Sequence, residues 1–204
     1  MTPEAFADRF NVPRGTLDRL HRYAALLVEW QGRMNLVAPS TLPAIWHRHF
    51  ADSAQLAALT PAGQHWVDMG AGGGFPSLVL AAMDHGSRFD LIESVGKKCD
   101  FLAAAVAEMG LTHVQVHCAR VEALAPMRPD ILTARACAPV ERLFDWGLSH
   151  ARPDTRWVLP KGVRHAAEIS DAQRRYRFDV TLAPSMTEPE ARILLATDVR
   201  RKTG

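Results

Sequence analysis

From residue 65 onward the chain alternates short apolar runs with helical stretches, and no other property narrows its fold as far. The runs are HWVDM (65–69), RFDLIE (88–93), HVQVHC (113–118), DILTARA (130–136) and RWVLP (156–160). Helical patterns fall between them at 76–84, 97–109 and 139–150. Strands that alternate with helices imply a parallel sheet with crossover helices on its faces. A further helix is expected over 166–176. After it, RFDVTLAP (177–184) and ARILLATDV (191–199) are separated only by SMTEPE, too short for a crossover, so they should pair antiparallel. The expectation is an α/β fold with a seven-stranded, mostly parallel sheet closed by a terminal hairpin.

The first 60 residues read as a helical cap before a larger unit at 61–204. Leu17, Leu20, Ala24, Leu27, Val28 and Met34 recur at steps suited to one helix face, with Thr16 as the expected N-cap. A second helix is expected over 44–59. With 48% hydrophobic and 23% charged residues in 204, the chain can bury a good core, which argues against wholesale disorder. Trp30, Trp46 and Trp66 are expected in that core. Cys99, Cys118 and Cys137 are odd in number and never spaced CxxC. This points to reduced thiols in a cytosol rather than a disulfide framework or zinc site. The N-terminal segment is acidic and amphipathic, unlike a secretory signal, and no apolar run matches a membrane span. A net charge of +2 does not by itself announce a nucleic-acid binder.

The chemistry concentrates in VDMGAGGGFPSLVLA (67–81). Gly70, Gly72 and Gly74 lie between a strand and a helix, where a bare backbone lets a ligand approach the helix N-terminus. Phe75 and Pro76 follow, not the Lys and Ser/Thr of a P-loop. The spacing is GxGxG, with Phe75 where a dinucleotide site wants its third glycine. Asp68 precedes the loop, where a carboxylate would repel a pyrophosphate but suit the ammonium of a methionine moiety. Glu93, at the end of the second strand, is placed to accept both ribose hydroxyls. The set favours S-adenosylmethionine over NAD. An NAD-linked oxidoreductase and a non-catalytic nucleotide-binding regulator remain as rivals.

The ordered motifs VDMGAGGGFPSLVLA, LIESVGKKCDFL, ARVEAL, TARACAPVERL and LPKG, with LVEWQGRMNLVAPST and HRHFADS before them, resemble the bacterial 16S ribosomal RNA guanine-N7 methyltransferases, the RsmG or GidB family. The resemblance implies a Rossmann-like class I methyltransferase that uses S-adenosylmethionine and leaves S-adenosylhomocysteine. Carried over by position, it places Gly70 and Phe75 in the loop contacts, Val121 and Glu122 beside the adenine, and Arg135 at the pocket after the fourth strand. It implies a guanine in a loop of 16S ribosomal RNA, free or in the small subunit, as acceptor. No membrane or protein partner is evident.

The residues at the fourth-strand end fit that implication. Ala134-Arg135-Ala136-Cys137 is not the Asn/Asp-Pro-Pro-aromatic turn used for exocyclic amines. Cys137 has no evident base to activate it and is expected to be small and buried. Guanine N7 has a lone pair and no proton to lose, so no general base is required and Arg135 is expected to position. Arg135, Lys161, Arg192, His47, Arg48 and His49 are the residues assigned to RNA. His47, His49 and Asp52 could ligate a metal, but residues two apart on a helix diverge, so no metal is expected.

Overall fold

A computed structural model describes residues 1–202. Two helices open the chain, α1 (Pro3–Phe10) and α2 (Arg14–Gln31). Thr2, not Thr16, supplies a side-chain cap, accepting from the Ala5 amide at 3.2 Å. α2 starts three residues earlier than expected behind Pro13, whose fixed φ suits a helix start, and Thr16 is buried within it. The buried stripe of α2 is Thr16, Leu20, Tyr23 and Leu27, and Val28 faces outward at 55% exposure. The apolar face is therefore rotated slightly from the sequence reading.

The single helix expected over 44–59 is instead a continuous stretch of changing winding. A 3₁₀ segment (Pro39–Ala44), a π turn (Trp46–Ala51), α3 (Asp52–Ala54) and a second 3₁₀ segment (Gln55–Leu59) follow one another. The π turn widens the backbone where His47, Arg48 and His49 leave the chain, so their side chains reach different partners.

The α/β unit follows as β1 (His65–Met69), α4 (Ser77–Met83), β2 (Arg88–Glu93), α5 (Gly96–Met109), β3 (Val114–Cys118), β4 (Ile131–Thr133), α6 (Val140–Gly147), β5 (Arg156–Lys161), α7 (His165–Arg175), β6 (Tyr176–Pro184) and β7 (Arg192–Arg201). The seven strands lie in the order β3-β2-β1-β4-β5-β7-β6. β1 to β5 are parallel, and β7 is antiparallel to both β5 and β6, as the short connection between β6 and β7 requires. The order reverses between β1 and β4, which opens a crevice at their carboxyl ends.

Two cores flank the sheet. One joins α2, α4 and α5 to the outward side chains Trp66, Phe89 and Ile131, with Phe6, Leu20, Tyr23, Leu27 and Phe50 packed among Leu78, Phe101 and Leu102. Trp66 is buried, while Trp30 and Trp46 are half-buried against this cluster. The other core sets Val140, Leu143 and Phe144 of α6 and Ala172 of α7 on Val67, Met69, Leu132, Trp157 and Leu194. The connection from β3 to β4 holds only a one-turn helix, Val121–Ala123. The nearby sheet face carries a polar cluster. Asp90 is fully buried between His65 and His117, each at 2.6 Å, and Arg88 at 2.8 Å. Burial alone would raise its carboxyl, yet these partners together hold it well below the ordinary range. No helix among the described residues is long and apolar enough to cross a membrane.

Candidate functional site

The crevice at the β1/β4 reversal is lined first by the glycine turn. Gly70 and Ala71 donate their amides to the Ile92 carbonyl at 2.8 and 3.0 Å, which folds the turn over the end of β2. Gly70 has φ +73° and a Cβ there would overlap the Cys137 sulfur. Gly74 has φ +87°, and a Cβ would overlap both Leu78 and the Tyr23 hydroxyl. Two of the glycines are thus demanded by neighbouring side chains as well as by backbone angle.

Glu93 joins this turn to the next strand. Its Oε2 accepts from the Gly72 amide at 3.0 Å, and its Oε1 accepts from the Ser94 and Val95 amides at 2.8 and 2.9 Å. A carboxylate offers roughly four lone-pair directions, so as bonded here one on Oε2 is left for a hydroxyl. Asp68 lies beneath the turn at 1% exposure, outside the cleft surface. Neither of its oxygens has a hydrogen-bond partner among the described residues, and the Ser77 hydroxyl is likewise unpartnered. Burial pushes the Asp68 carboxyl up to about 7, against smaller downward pulls from Ser77 and the Arg135 charge.

The N-terminal helices complete the turn. Tyr23 of α2 is fully buried and donates its hydroxyl to the Gly73 carbonyl. Its ring packs on Phe50 at 5.5 Å and Phe75 at 5.3 Å. Burial raises its phenol well above the ordinary value, so it stays a donor.

Arg135, just beyond β4, gathers the remaining segments. Its Nη1 donates to Asp52 Oδ2 at 3.1 Å and to the Arg48 carbonyl at 3.3 Å, and its Nη2 lies 2.8 Å from His49 Nδ1. The guanidinium carbon sits 4.8 Å from the centroid of the Phe75 ring, on which His49 also stacks at 5.0 Å. A guanidinium only donates, so His49 Nδ1 must accept and the imidazole is neutral with its proton on Nε2. Burial and the Arg135 and Arg48 charges lower His49 to about 3, in agreement. Its Nε2–H then donates to the Thr41 hydroxyl at 2.7 Å, which donates to the Ala38 carbonyl at 2.6 Å. Asp52 Oδ1 also accepts from Thr187 at 2.7 Å, at the tip of the β6–β7 hairpin. One ion pair therefore ties β4, the glycine turn, the helical cap and the terminal hairpin together.

These groups border a cleft of about 1190 Å³. The structure brings Gly70, Gly72, Phe75, Glu93, Arg135, Arg48, His49, Lys161 and Arg192 to its walls, and adds Lys98 and Cys137. Gly74 and Asp68 support the turn from behind. Lys161 is buried, donating to the Ala138 carbonyl at 2.6 Å and pairing with Glu168 at 3.1 Å. Arg48 pairs with Glu188 at 2.8 Å, His47 lies 3.2 Å from the Thr187 carbonyl, and Arg192 donates to the Pro189 and Ala191 carbonyls, each at 2.7 Å. His47, His49 and Asp52 face different partners, and the described residues hold no group of three or more His, Cys, Asp or Glu arranged for a metal.

Val121 and Glu122 are not on this cleft. Val121 is buried, and Glu122 borders a separate pocket of about 500 Å³ with Glu141, Arg142, Asp145 and Trp146. Cys137 corrects the expectation of a buried thiol. Ala136 adopts a left-handed φ of +52°, which turns the chain off β4 and sets Cys137 exposed against Gly70. Sequence reading missed Tyr23, the backbone at Leu36 that closes on Gly73, and Thr187. The only local signal was the polar hydroxyl of Tyr23 within an apolar helix face.

A family model described as rRNA small subunit methyltransferase G matches residues 16–194. A protein of Paramagnetospirillum magneticum named ribosomal RNA small subunit methyltransferase G is 40% identical over 202 residues, covering 98% of each chain. One of the same name from Cereibacter sphaeroides is 42% identical over 194 residues, covering 92% of each. Among solved structures, a point mutant of MtNAS in complex with S-adenosylmethionine aligns with a TM-score of 0.63 at 17% identity, covering 90% of this chain and 77% of that one. A TehB-like SAM-dependent methyltransferase from Corynebacterium glutamicum aligns with a TM-score of 0.59 at 14% identity, covering 85% and 98%. At these identities the structural likeness speaks for the fold.

Proposed function

Since the chain belongs to the rRNA small subunit methyltransferase G family, we propose that its cleft transfers a methyl group from S-adenosylmethionine to N7 of a guanine in 16S ribosomal RNA. The observation that carries the reading is the joining of two unlike halves in one cleft. A bare-backbone turn tied to a strand-end carboxylate forms one half, and Arg48, Arg135, Lys161 and Arg192 border the other. The residues fit the cofactor. The turn is too crowded for side chains at Gly70 and Gly74, Glu93 retains one acceptor direction for a ribose hydroxyl, and Asp68 is an unpartnered carboxylate beneath the methionine end. S-adenosylmethionine, when bound, supplies an electrophilic methyl group on a sulfonium.

The protein's own part is alignment and exclusion of water. Phe75, held between His49, Tyr23 and Arg135, walls the cleft with a ring that cannot swing freely. Arg135 is a positioning residue here, its charge answered by Asp52. His49 has both ring nitrogens engaged and takes no proton at neutral pH, so it does not act as a base. None is needed, because the N7 lone pair carries no proton. N7 lies in the deep, narrow groove of A-form RNA, so the acceptor is a loop or unstacked guanine. Val121 and Glu122 meet an adenine only if the Val121–Ala123 turn forms the outer edge of the cofactor site.

The test is transfer of radiolabelled methyl groups to small subunits that lack this modification, followed by nucleoside mapping. Label in N7-methylguanosine at one site of 16S RNA is the expected result. Label elsewhere, or none with S-adenosylhomocysteine bound, would refute the assignment.

A further inference from the structure

Lys161 and Glu168 form a charged pair that the transfer chemistry does not use. Lys161 ends β5 with its side chain 7% exposed, and Glu168, 21% exposed, sits in the first turn of α7. Both line the large cleft. An ammonium has three donors. Two are taken, by the Ala138 carbonyl at 2.6 Å and by Glu168 Oε2 at 3.1 Å. On Glu168, Oε2 also accepts the Val140 amide at 3.1 Å, while Oε1 has no protein partner among the described residues. The pair therefore presents one free donor beside an oxygen with two free lone pairs.

Resting on the guanine reading above, we propose that Lys161 and Glu168 read the base itself, Lys161 donating to O6 and Glu168 Oε1 accepting from N1–H and the 2-amino group. The donor and acceptor count matches this edge of guanine and opposes adenine. Adenine would turn an amino group toward the ammonium and a lone pair toward the carboxylate. The pair is close to the cofactor end, because Lys161 is bonded to the Ala138 carbonyl, one residue beyond Cys137, whose sulfur sits against Gly70 on the same cleft. The cleft is large enough for this. Its volume of about 1190 Å³ exceeds the roughly 300–1,000 Å³ of a single small-ligand pocket.

The same contacts pin the β4–α6 connection to α7, so the test must separate reading from bracing. Glu168→Gln does so. Its carbonyl oxygen can still accept from Lys161 and Val140, but the amide it then turns to the cleft donates where guanine also donates. The mapped guanine in a 16S RNA fragment is replaced by inosine, which keeps N7, O6 and N1–H but lacks the 2-amino group. The native enzyme is expected to prefer guanine by about tenfold or more in kcat/KM, since a site built for a donor rejects the analogue without it. In Glu168→Gln that preference should collapse to within about twofold, with S-adenosylhomocysteine affinity retained. A native preference below about threefold, or an undiminished one in the variant, overturns the proposal. The first criterion stands even if the variant does not fold. A native enzyme that methylates no guanine in any small-subunit RNA would instead refute the function proposed above.

Discussion

Replacing Asp68 with Asn should stabilise the protein and weaken its cofactor site at once. Asp68 is 1% exposed, with neither oxygen hydrogen-bonded, and its carboxyl is pushed up to about 7 from an ordinary 3.8. The native state thus holds more protons than the unfolded chain between those values, so this group lowers stability as pH rises from 3.8 to about 7. At roughly 1.36 kcal/mol per pKa unit, the ionised form is disfavoured by about 4 kcal/mol above pH 7. Asn keeps the shape without the charge but brings amide hydrogens that need acceptors. A net gain of about 2 kcal/mol at pH 8 is expected, or about 4–8 °C in Tm for a chain of this size. The gain should fall as the pH drops and become a loss of up to about 2 kcal/mol below pH 3.8, where the carboxyl is protonated in both states and only the amide's cost remains. Urea unfolding of ligand-free protein at pH 4, 6 and 8 measures it, and calorimetric titration with S-adenosylhomocysteine reads the affinity. A variant no more stable than the native chain at pH 8, or one whose gain does not change with pH, would refute the reasoning.

His49 works in the opposite sense, because its native value of about 3 lies below the ordinary 6.5. Its contribution is present above pH 6.5 and is lost on acidification, by about 3 kcal/mol between pH 7 and 4. In the Asp68→Asn background, urea unfolding between pH 7 and 5, above the range where the lowered carboxylates protonate, should show a loss of about 2 kcal/mol; a flat profile would contradict it. Tyr23→Phe leaves the Gly73 carbonyl without its buried donor and should lower stability by about 1–3 kcal/mol, read by denaturant midpoint. Gly74→Ala combines a φ of +87° with overlap against Leu78 and Tyr23, so a loss of about 3 kcal/mol or more, or failure to fold, is expected in thermal melts.

The strands were legible because each is a short apolar run closed by polar or turn residues. β1 and β2 fall on HWVDM and RFDLIE to the residue, and the hairpin followed from the short segment between its strands. Less was visible where winding depends on packing. No local pattern distinguishes a π turn at Trp46–Ala51 from an α-helix, since what differs is where three successive side chains find partners. At the site, Gly70 and Glu93 were readable from position on strand ends, and Arg135 came with the family resemblance. Tyr23 and Thr187 were not, because they meet the site across 50 and 135 residues of sequence. Val121 and Glu122 came from resemblance alone, and the structure sets them off the main cleft.

The hydroxyl of Tyr23 makes the amino-terminal helices and the glycine turn a single mechanical piece. Loosening α2 by heat, truncation or a distant substitution must loosen the Gly73 carbonyl with it, and a ligand that stiffens the turn must quieten the helix. Hydrogen exchange in α2 should therefore slow when S-adenosylhomocysteine is added, although no atom of that helix need touch it. A fragment beginning near residue 61 would keep every strand yet forfeit the strut beneath its own binding loop.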